Sequence, residues 1–270
     1  MKKSKIYDCI TFFRENFITN VRFEILKNVV DHFVICESRY DHKGKKKDLN
    51  FKLKKNSFKK KIIYIVLDKP FSINLKDEWD RQAYQREFIF RGIKNSNPDD
   101  YIMFSDPDEI PNPDIVSSLK LKKKYGIFMQ KSFCYKLNLF NSHESPWEGT
   151  RICLKKNLKS IDFMREKVLK KNLKYSFFRV DKERSIEIID NGGWHFNNLM
   201  SAAEISKKLK TFAHTEFSDQ KFSAVKVIKK KIQNKEDLFE RGYLYSKVKI
   251  DDSFPEHIFK NKYKYNNWII

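Results

Sequence analysis

Glycine is scarce in this 270-residue chain: seven residues, with no Gly-x-Gly-x-x-Gly and no Gly-x-x-x-x-Gly-Lys-Ser/Thr among them. That excludes the glycine-rich backbone cradles with which many nucleotide-binding domains neutralise phosphates. The four cysteines, Cys9, Cys36, Cys134 and Cys153, form no Cys-x-x-Cys pair. A zinc site is therefore not expected, and buried free thiols are. No Asn-x-Ser/Thr occurs either, and both features fit a reducing cytosol. No apolar run approaches the ~18 residues of a membrane span. The opening MKKSKIYDCITFF has charge followed by apolar residues, but Asp8 interrupts it and no small-residue cleavage site follows. It is not read as a signal peptide, and a cytoplasmic protein is expected. A Gly-x-Ser-x-Gly elbow is missing, as is a cysteine beside an identifiable histidine partner, so no covalent nucleophile stands out.

Hydrophobic residues make up 40% of the chain and aromatics 15%, enough for a globular core rather than a disordered basic tail. The formal charge is +21, carried mostly by lysine, with runs at Lys45–Lys47, Lys59–Lys61, Lys122–Lys124 and Lys229–Lys231. Nucleic acid, anionic lipid headgroups and phosphorylated substrates are all partners that such a charge could serve. Lysine is the poorer residue for bidentate recognition, so much of this charge reads as solvated surface.

Strand and helix signals alternate through the first half. Ile6–Phe13, His32–Glu37, Ile62–Leu67 and Tyr101–Phe104 read as strands. Asn20–Val29 and Asp77–Lys94 read as helices, the latter with Trp79, Ala83, Phe90 and Ile93 near one face. Asn112-Pro113-Asp114 supplies a cap, a first-position proline and a first-turn acid for another helix. Such alternation predicts an α/β fold with a mainly parallel central sheet flanked by helices. In the second half, Gly126–Phe140 and Arg151–Leu154 read as strands joined by a polar loop, Asn141–Gly149. Ser160–Leu169 reads as a helix, and Ser201-Ala202-Ala203-Glu204 as a capping box opening a helix to about Ala213. With no repeat or flexible linker, one domain over residues 1–270 is expected, with a first half at 1–125, a second at 126–220 and a basic extension at 221–270.

The most informative stretch is YIMFSDPDEIP (Tyr101–Pro111). An apolar strand ends in three carboxylates, whose crowding is tolerable only with a cation among them. Hard oxygen ligands of this kind suit Mg²⁺ or Mn²⁺ completed by substrate phosphates, which makes Asp106 and Asp108 candidate metal ligands. Ligands of parallel sheets bind beyond the carboxyl ends of the strands, where Glu15 and Glu37 also fall. In Asn191-Gly-Gly-Trp-His-Phe196, two glycines allow a sharp turn and close backbone approach. Trp194 could then stack on a sugar and His195 complete a metal shell or meet a diphosphate. Direct displacement by an acceptor hydroxyl needs one general base, and Glu109, Glu148, Asp190 and Glu216 are all candidates.

Several motifs in order resemble glycosyltransferase family 17: VRFEILKNVVDHFVICES (Val21–Ser38), Lys43-Gly44, the Trp79 to Arg86 helix, PDDYIMFSDPDEIP (Pro98–Pro111) and GGWHF (Gly192–Phe196). The resemblance runs from Ile6 to about His214. It implies a GT-A-like fold with residues 1–125 as the nucleotide-sugar-binding half and 126–220 as the acceptor-side half, a UDP-sugar donor (UDP-GlcNAc by analogy), a divalent metal, and inversion at the anomeric carbon. Asp106 and Asp108 match the family's acidic metal motif, Glu37 an acidic strand end near the nucleoside, and Arg86 a basic position facing the diphosphate. His195 matches the histidine of the Gly-Trp-His segment. Without the membrane anchor and stem of the animal enzymes, a glycan or lipid-linked glycan acceptor is expected, with peripheral contact to an anionic membrane. The alternatives are a metal-dependent phosphoesterase or nuclease and a non-enzymatic nucleic-acid-binding protein. The first needs more Asp and His ligands, and the second needs aromatics interleaved with basic residues on one exposed face.

Overall fold

A computed structural model describes residues 4–176, 178–211 and 219–270. Four strands, β1 (Ile6–Phe12), β2 (His32–Ser38), β3 (Ile62–Leu67) and β4 (Tyr101–Ser105), lie in the order β3-β2-β1-β4 with every pairing parallel. The helix α1 (Asn16–Leu26) crosses from β1 to β2, and α2 (Glu78–Glu87) precedes β4. β1, β2 and β4 are buried along nearly their whole length, as strands covered on both faces must be. Their carboxyl ends bring Glu15, Glu37 and Asp106 to one edge of the sheet.

The second half changes the character of the sheet. After β5 (Glu109–Pro111) and α3 (Pro113–Ser118) come β6 (Tyr125–Cys134), the short β7 (Leu139–Phe140) and β8 (Trp147–Leu154). β8 inserts antiparallel between β4 and β6, so the sheet is mixed rather than mainly parallel. The cause lies in residues 135–138, which turn the chain back from β6 into β7, after which β8 keeps that direction on the other side of β6; a parallel return would need a long crossover. After α4 (Ile161–Glu166), β9 (Ile186–Asn197) runs parallel to β6 and antiparallel to β5. Then follow α5 (Ala202–Thr211), α6 (Gln220–Ser223), α7 (Val225–Asn234), β10 (Ser246–Lys247) and α8 (Glu256–Lys260). No helix among the described residues is long and apolar enough to cross a membrane.

Alternation along the strands divides the core. Ile10, Phe33, Ile35 and Met103 pack with α1 and with Phe254 and Ile258 of the C-terminal segment. Cys9, Val34, Cys36 and Phe104 face the other way, toward Ile89 and α4. All four cysteines are buried free thiols. Burial pushes the thiols of Cys36, Cys134 and Cys153 up to about 12, which keeps them unreactive.

Three local differences from the sequence reading have physical causes. The predicted Asp77–Lys94 helix ends at Glu87 and gives way to a 3₁₀ turn, Phe88–Arg91. Its buried face is polar, with Gln82, Gln85 and Arg86, while Trp79 stays exposed. β8 begins at Trp147, inside the expected loop. The Gly192-Gly193 pair lies within β9 instead of making a sharp turn, beside a bulge in the β6–β9 ladder. Close approach is what these glycines permit. A Cβ on Gly193, whose φ is +131°, would sit 2.1 Å from the Ile110 carbonyl oxygen. The capping box does form, with Ser201 and Glu204 bonded reciprocally.

Gly193→Ala is therefore expected to destabilise the fold well beyond the roughly 1–2 kcal/mol of a left-handed residue alone. Gly44→Ala is the control, since Gly44 has φ +81° but nothing within 4 Å of its Cβ position. Urea denaturation of both variants separates backbone collision from dihedral strain.

Candidate active site

A buried ion pair sets the acidic turn in place. Arg22, on α1, donates Nε to Asp8 Oδ2 at 2.7 Å and Nη2 to Asp8 Oδ1 at 2.6 Å. Nη2 also reaches Ser105 Oγ at 2.8 Å, and Nη1 reaches the Glu109 carbonyl at 2.6 Å and the Asp106 carbonyl at 3.4 Å. One guanidinium thus ties α1, β1, β4 and both ends of the Asp106–Glu109 turn together.

The three carboxylates of that turn have different surroundings. Glu109 is buried and receives Arg165 in a fork, Nη1 to Oε2 and Nη2 to Oε1, both at 2.8 Å. Trp147 adds its indole N–H to Oε1 at 2.7 Å. Burial opposes ionisation of Glu109, but Arg165 outweighs it, and the carboxyl is held at about 2. Asp106 shares Arg165, with Nη2 at 2.8 Å from Oδ2, and is partly open to solvent. Asp108 is different: among the described residues no hydrogen-bond donor reaches its carboxylate, and the nearest cation-forming group is His195 Nε2 at 3.9 Å. Burial pushes its pKa up.

His195 sits opposite Glu109 in the β5–β9 ladder. Its ring stacks on Trp147 at 4.8 Å between centroids, and its Nδ1 is buried with no hydrogen-bond partner among the described residues. Across from it Lys208, on α5, lies 3.6 Å from Glu15 Oε1. Burial disfavours the Lys208 charge, yet Glu15, Asp108 and Asp106 prevail and raise its pKa.

These groups line a cleft of roughly 500 Å³. Its first wall comes from the carboxyl edge of the parallel strands and from α2, with Phe13, His42, Lys47 and Gln85. Its second wall comes from β8, β9 and the chain after α7, with Trp147, Asn197, Phe239 and Arg241. Asp106, Asp108, Glu109 and His195 form the floor between them.

The remaining candidates lie elsewhere. Glu37 is buried beside the first wall, where it accepts from Asn50 N at 2.7 Å, Phe51 N at 3.1 Å, Tyr64 Oη at 2.8 Å and Lys47 Nζ at 3.2 Å. Arg86 points to α4, pairing with Asp162 at 2.7 Å and Glu166 at 2.6 Å. Trp194 faces the opposite side of β9 from His195, packs in the core and donates to the Ser253 carbonyl at 3.0 Å. Glu148 accepts from Lys170 N at 3.0 Å and pairs with Arg151, outside the cleft lining. Asp190 is exposed ahead of the β9 bulge, also outside it. Glu216 lies outside the described residues, as do His214 and the predicted end of the α5 helix. Arg165, Trp147 and Lys208 were not singled out from sequence. Trp147, an aromatic in the polar stretch Ser145-Pro-Trp-Glu-Gly149, is the one that carried a usable signal.

Among the described residues no three His, Cys, Asp or Glu side chains converge closely enough to enclose a metal ion unaided. Two carboxylates, one of them buried without a donor, fit an ion of the Mg²⁺ or Mn²⁺ type that takes its remaining ligands from phosphate oxygens and water.

Fold and floor together define an α/β domain with an acidic turn at the carboxyl edge of its parallel strands, the edge at which ligands of such sheets bind. Residues 1–248 match glycosyltransferase family 17, and the chain belongs to that family. It is 32% identical over 141 residues to the β-1,4-mannosyl-glycoprotein 4-β-N-acetylglucosaminyltransferases of Rattus norvegicus and Homo sapiens. Each match covers 47% of this chain and 26% of the relative, so the chain spans about a quarter of the length of these curated relatives. Among solved structures it is similar, at TM-score 0.38 and 11% identity, to glucosyl-3-phosphoglycerate synthase from Mycobacterium tuberculosis in complex with Mn²⁺, UDP-glucose and phosphoglyceric acid. That match covers 94% of this chain and 91% of the other.

Arg165→Gln should destabilise the protein by about 3–5 kcal/mol, because Glu109 is left as an unpaired buried charge. Adding Glu109→Gln to it should recover a large part of that loss. A denaturant double-mutant cycle measures both, and two independent, additive losses would contradict the coupling.

Proposed function

We propose that this chain is a divalent-metal-assisted glycosyltransferase of GT-A-like architecture, moving a sugar from a UDP-sugar to a glycan hydroxyl with inversion. The observation that carries the reading is the Asp106-Pro107-Asp108 turn. It lies on the floor of a two-walled cleft, at the end of a parallel strand, with the Asp108 carboxylate buried and given no hydrogen-bond donor among the described residues. The name shared by the relatives makes N-acetylglucosamine the first donor sugar to test.

On this reading Asp106 and Asp108 would hold the ion, and His195 would stand beside them. The ion supplies electrostatic stabilisation of the departing diphosphate. The protein's own groups do the rest. The first wall, with Phe13 and Gln85, receives the nucleoside, and Lys208 offers a cation near the diphosphate position. Glu37 acts one step back, holding Lys47 and residues 50–51 in place. Arg86 likewise acts indirectly, by fixing α4 and hence Arg165. Glu109 is committed to Arg165 and Trp147, and a carboxylate held at about 2 is a weak proton acceptor near neutral pH. Its role is to anchor the turn. The acceptor hydroxyl enters from the second wall, and displacement at the anomeric carbon passes its proton to a base on that side.

Binding and hydrolysis of a UDP-sugar panel with Mn²⁺ test this directly. One UDP-sugar should bind in a metal-dependent manner, and Asp108→Ala should weaken that binding by more than about 100-fold while the protein stays folded. Equal binding with and without metal, or an Asp108→Ala variant indistinguishable from wild type, would sink the proposal.

A further inference from the structure

The C-terminal stretch does not trail away from the domain; it builds part of the cleft. After α7 the chain closes a small loop, bridged by Glu236 and Leu244 and by Tyr245 N donating to the Lys235 carbonyl at 2.8 Å. Two left-handed residues shape its tip, Glu240 at φ 56° and Gly242 at φ 79°. Inside the loop Asp237 is buried and accepts from Phe239 N, Arg241 N and Tyr245 Oη at 3.0–3.1 Å. Arg241 donates Nε to Asp237 Oδ2 at 3.0 Å and Nη2 to Asp237 Oδ1 at 2.7 Å. Its Nη1 reaches across to Glu144 Oε1 at 2.5 Å, joining the loop to the turn that precedes β8. Tyr243 stacks on His143 at 4.4 Å and 5°, a second tie between the same two segments. Glu144, Trp147, Phe239 and Arg241 all line the cleft.

The geometry points to residues 236–245, with the turn 141–147, as the acceptor-binding wall, taking an uncharged sugar ring through Phe239, Glu144 and Arg241. This inference rests on the transferase reading. Its chemistry follows from what lines the wall: aromatic surface for the apolar face of a pyranose, and a fixed carboxylate–guanidinium pair for neighbouring hydroxyls. Charge selects among sugars. Asp237 and Glu144 outnumber Arg241, which leaves the local group net negative and unfavourable to a uronic acid or phosphorylated acceptor. Arg241 is preorganised by Asp237, so little side-chain entropy remains to be lost on binding.

Saturation-transfer NMR in the presence of UDP and Mg²⁺ tests the wall. The probes are the methyl glycosides of glucose, mannose, galactose and N-acetylglucosamine, with methyl glucuronide as the acidic counterpart. Calorimetry follows UDP–Mg²⁺ binding in the same samples. At least one neutral glycoside should bind wild type and outdo the glucuronide. Phe239→Ala and Glu144→Gln should each weaken it roughly tenfold with UDP binding retained. Neither substitution removes Asp237 or the donors that surround it, namely the Phe239 and Arg241 backbone N–H groups, the Arg241 guanidinium and the Tyr245 hydroxyl, and thermal unfolding confirms that each variant is folded. Glycoside binding unchanged by both substitutions, preference for the glucuronide, or UDP binding with no glycoside binding would each overturn the inference. Loss of UDP binding in wild type with Phe239-dependent glycoside binding would instead overturn the transferase reading and support this wall as a saccharide site.

Discussion

The ion pair between Arg22 and Asp8 is the contact on which the rest of the molecule depends. Both side chains are almost wholly removed from water, at 0% and 1% exposure, which for an isolated charge would be prohibitive. The cost is offset because the guanidinium finds a full set of acceptors: both oxygens of Asp8, the Ser105 hydroxyl and two carbonyls of the acidic turn. A buried hydrophobic pair would pack as well but would say nothing about the turn. By spending its donors on the Asp106 and Glu109 carbonyls, Arg22 fixes the backbone from which Asp106, Asp108 and Glu109 project. The geometry of the cleft floor is thus set from beneath, by a helix that itself touches none of the three carboxylates.

A second buried arginine determines what the floor can do. Arg165 takes both oxygens of Glu109 and one of Asp106, so two of the three clustered carboxylates are neutralised by the protein itself. The third, Asp108, is buried with no hydrogen-bond donor on its carboxylate among the described residues, and burial raises its pKa despite His195 and Lys208 nearby. Adjacent acids of similar type therefore have opposed characters, one a strongly ionised anchor and the other a desolvated group short of a cation. α4 carries this arrangement outward, since Asp162 and Glu166, on the same short helix as Arg165, hold Arg86 of α2. The floor and the first wall are consequently braced by one short helix.

Much of this architecture was legible in the residues, and the limits are instructive. The parallel unit could be read because β1 to β4 are short β-branched or aromatic runs bounded by turn and cap residues, all local signals. The acidic turn was legible for the same reason: an apolar strand ending in three carboxylates is improbable without a purpose. What could not be read depends on partners far away in sequence. Nothing near Arg22 announces that it is buried, because its partner Asp8 lies on another element and its place in the sequence looks like any polar helix site. Nothing near Arg165 announces Glu109, 56 residues away. The polar inner face of α2 defeated amphipathic logic because Gln82 and Gln85 face a cleft instead of a core. Gly192 and Gly193 were read as a turn because glycine signals backbone freedom without saying which kind; here the need was proximity of strands. Trp194 and His195 alternate in β9, so only one of the pair can meet the cleft.

The excess of positive charge and the acidity of the floor are consistent with each other on the transferase reading. At +21 the molecule as a whole attracts a nucleoside diphosphate, raising its local concentration near the surface. At the floor that attraction reverses, because Asp106 and Asp108 face the site where the diphosphate would rest. Carboxylates and diphosphate repel one another there unless a divalent cation lies between them. A floor built only of lysine and arginine would bind the leaving group with or without metal, and would hold the product as tightly as the donor. With Glu109 silenced by Arg165 and Asp108 given no hydrogen-bond donor among the described residues, donor binding becomes conditional on the cation, and release of the nucleoside diphosphate becomes sensitive to its loss. The second wall then completes the logic: a cation governs the donor side, while aromatic surface, hydroxyl pairing and a slight excess of negative charge govern the acceptor side, and the acidic turn marks the boundary between them.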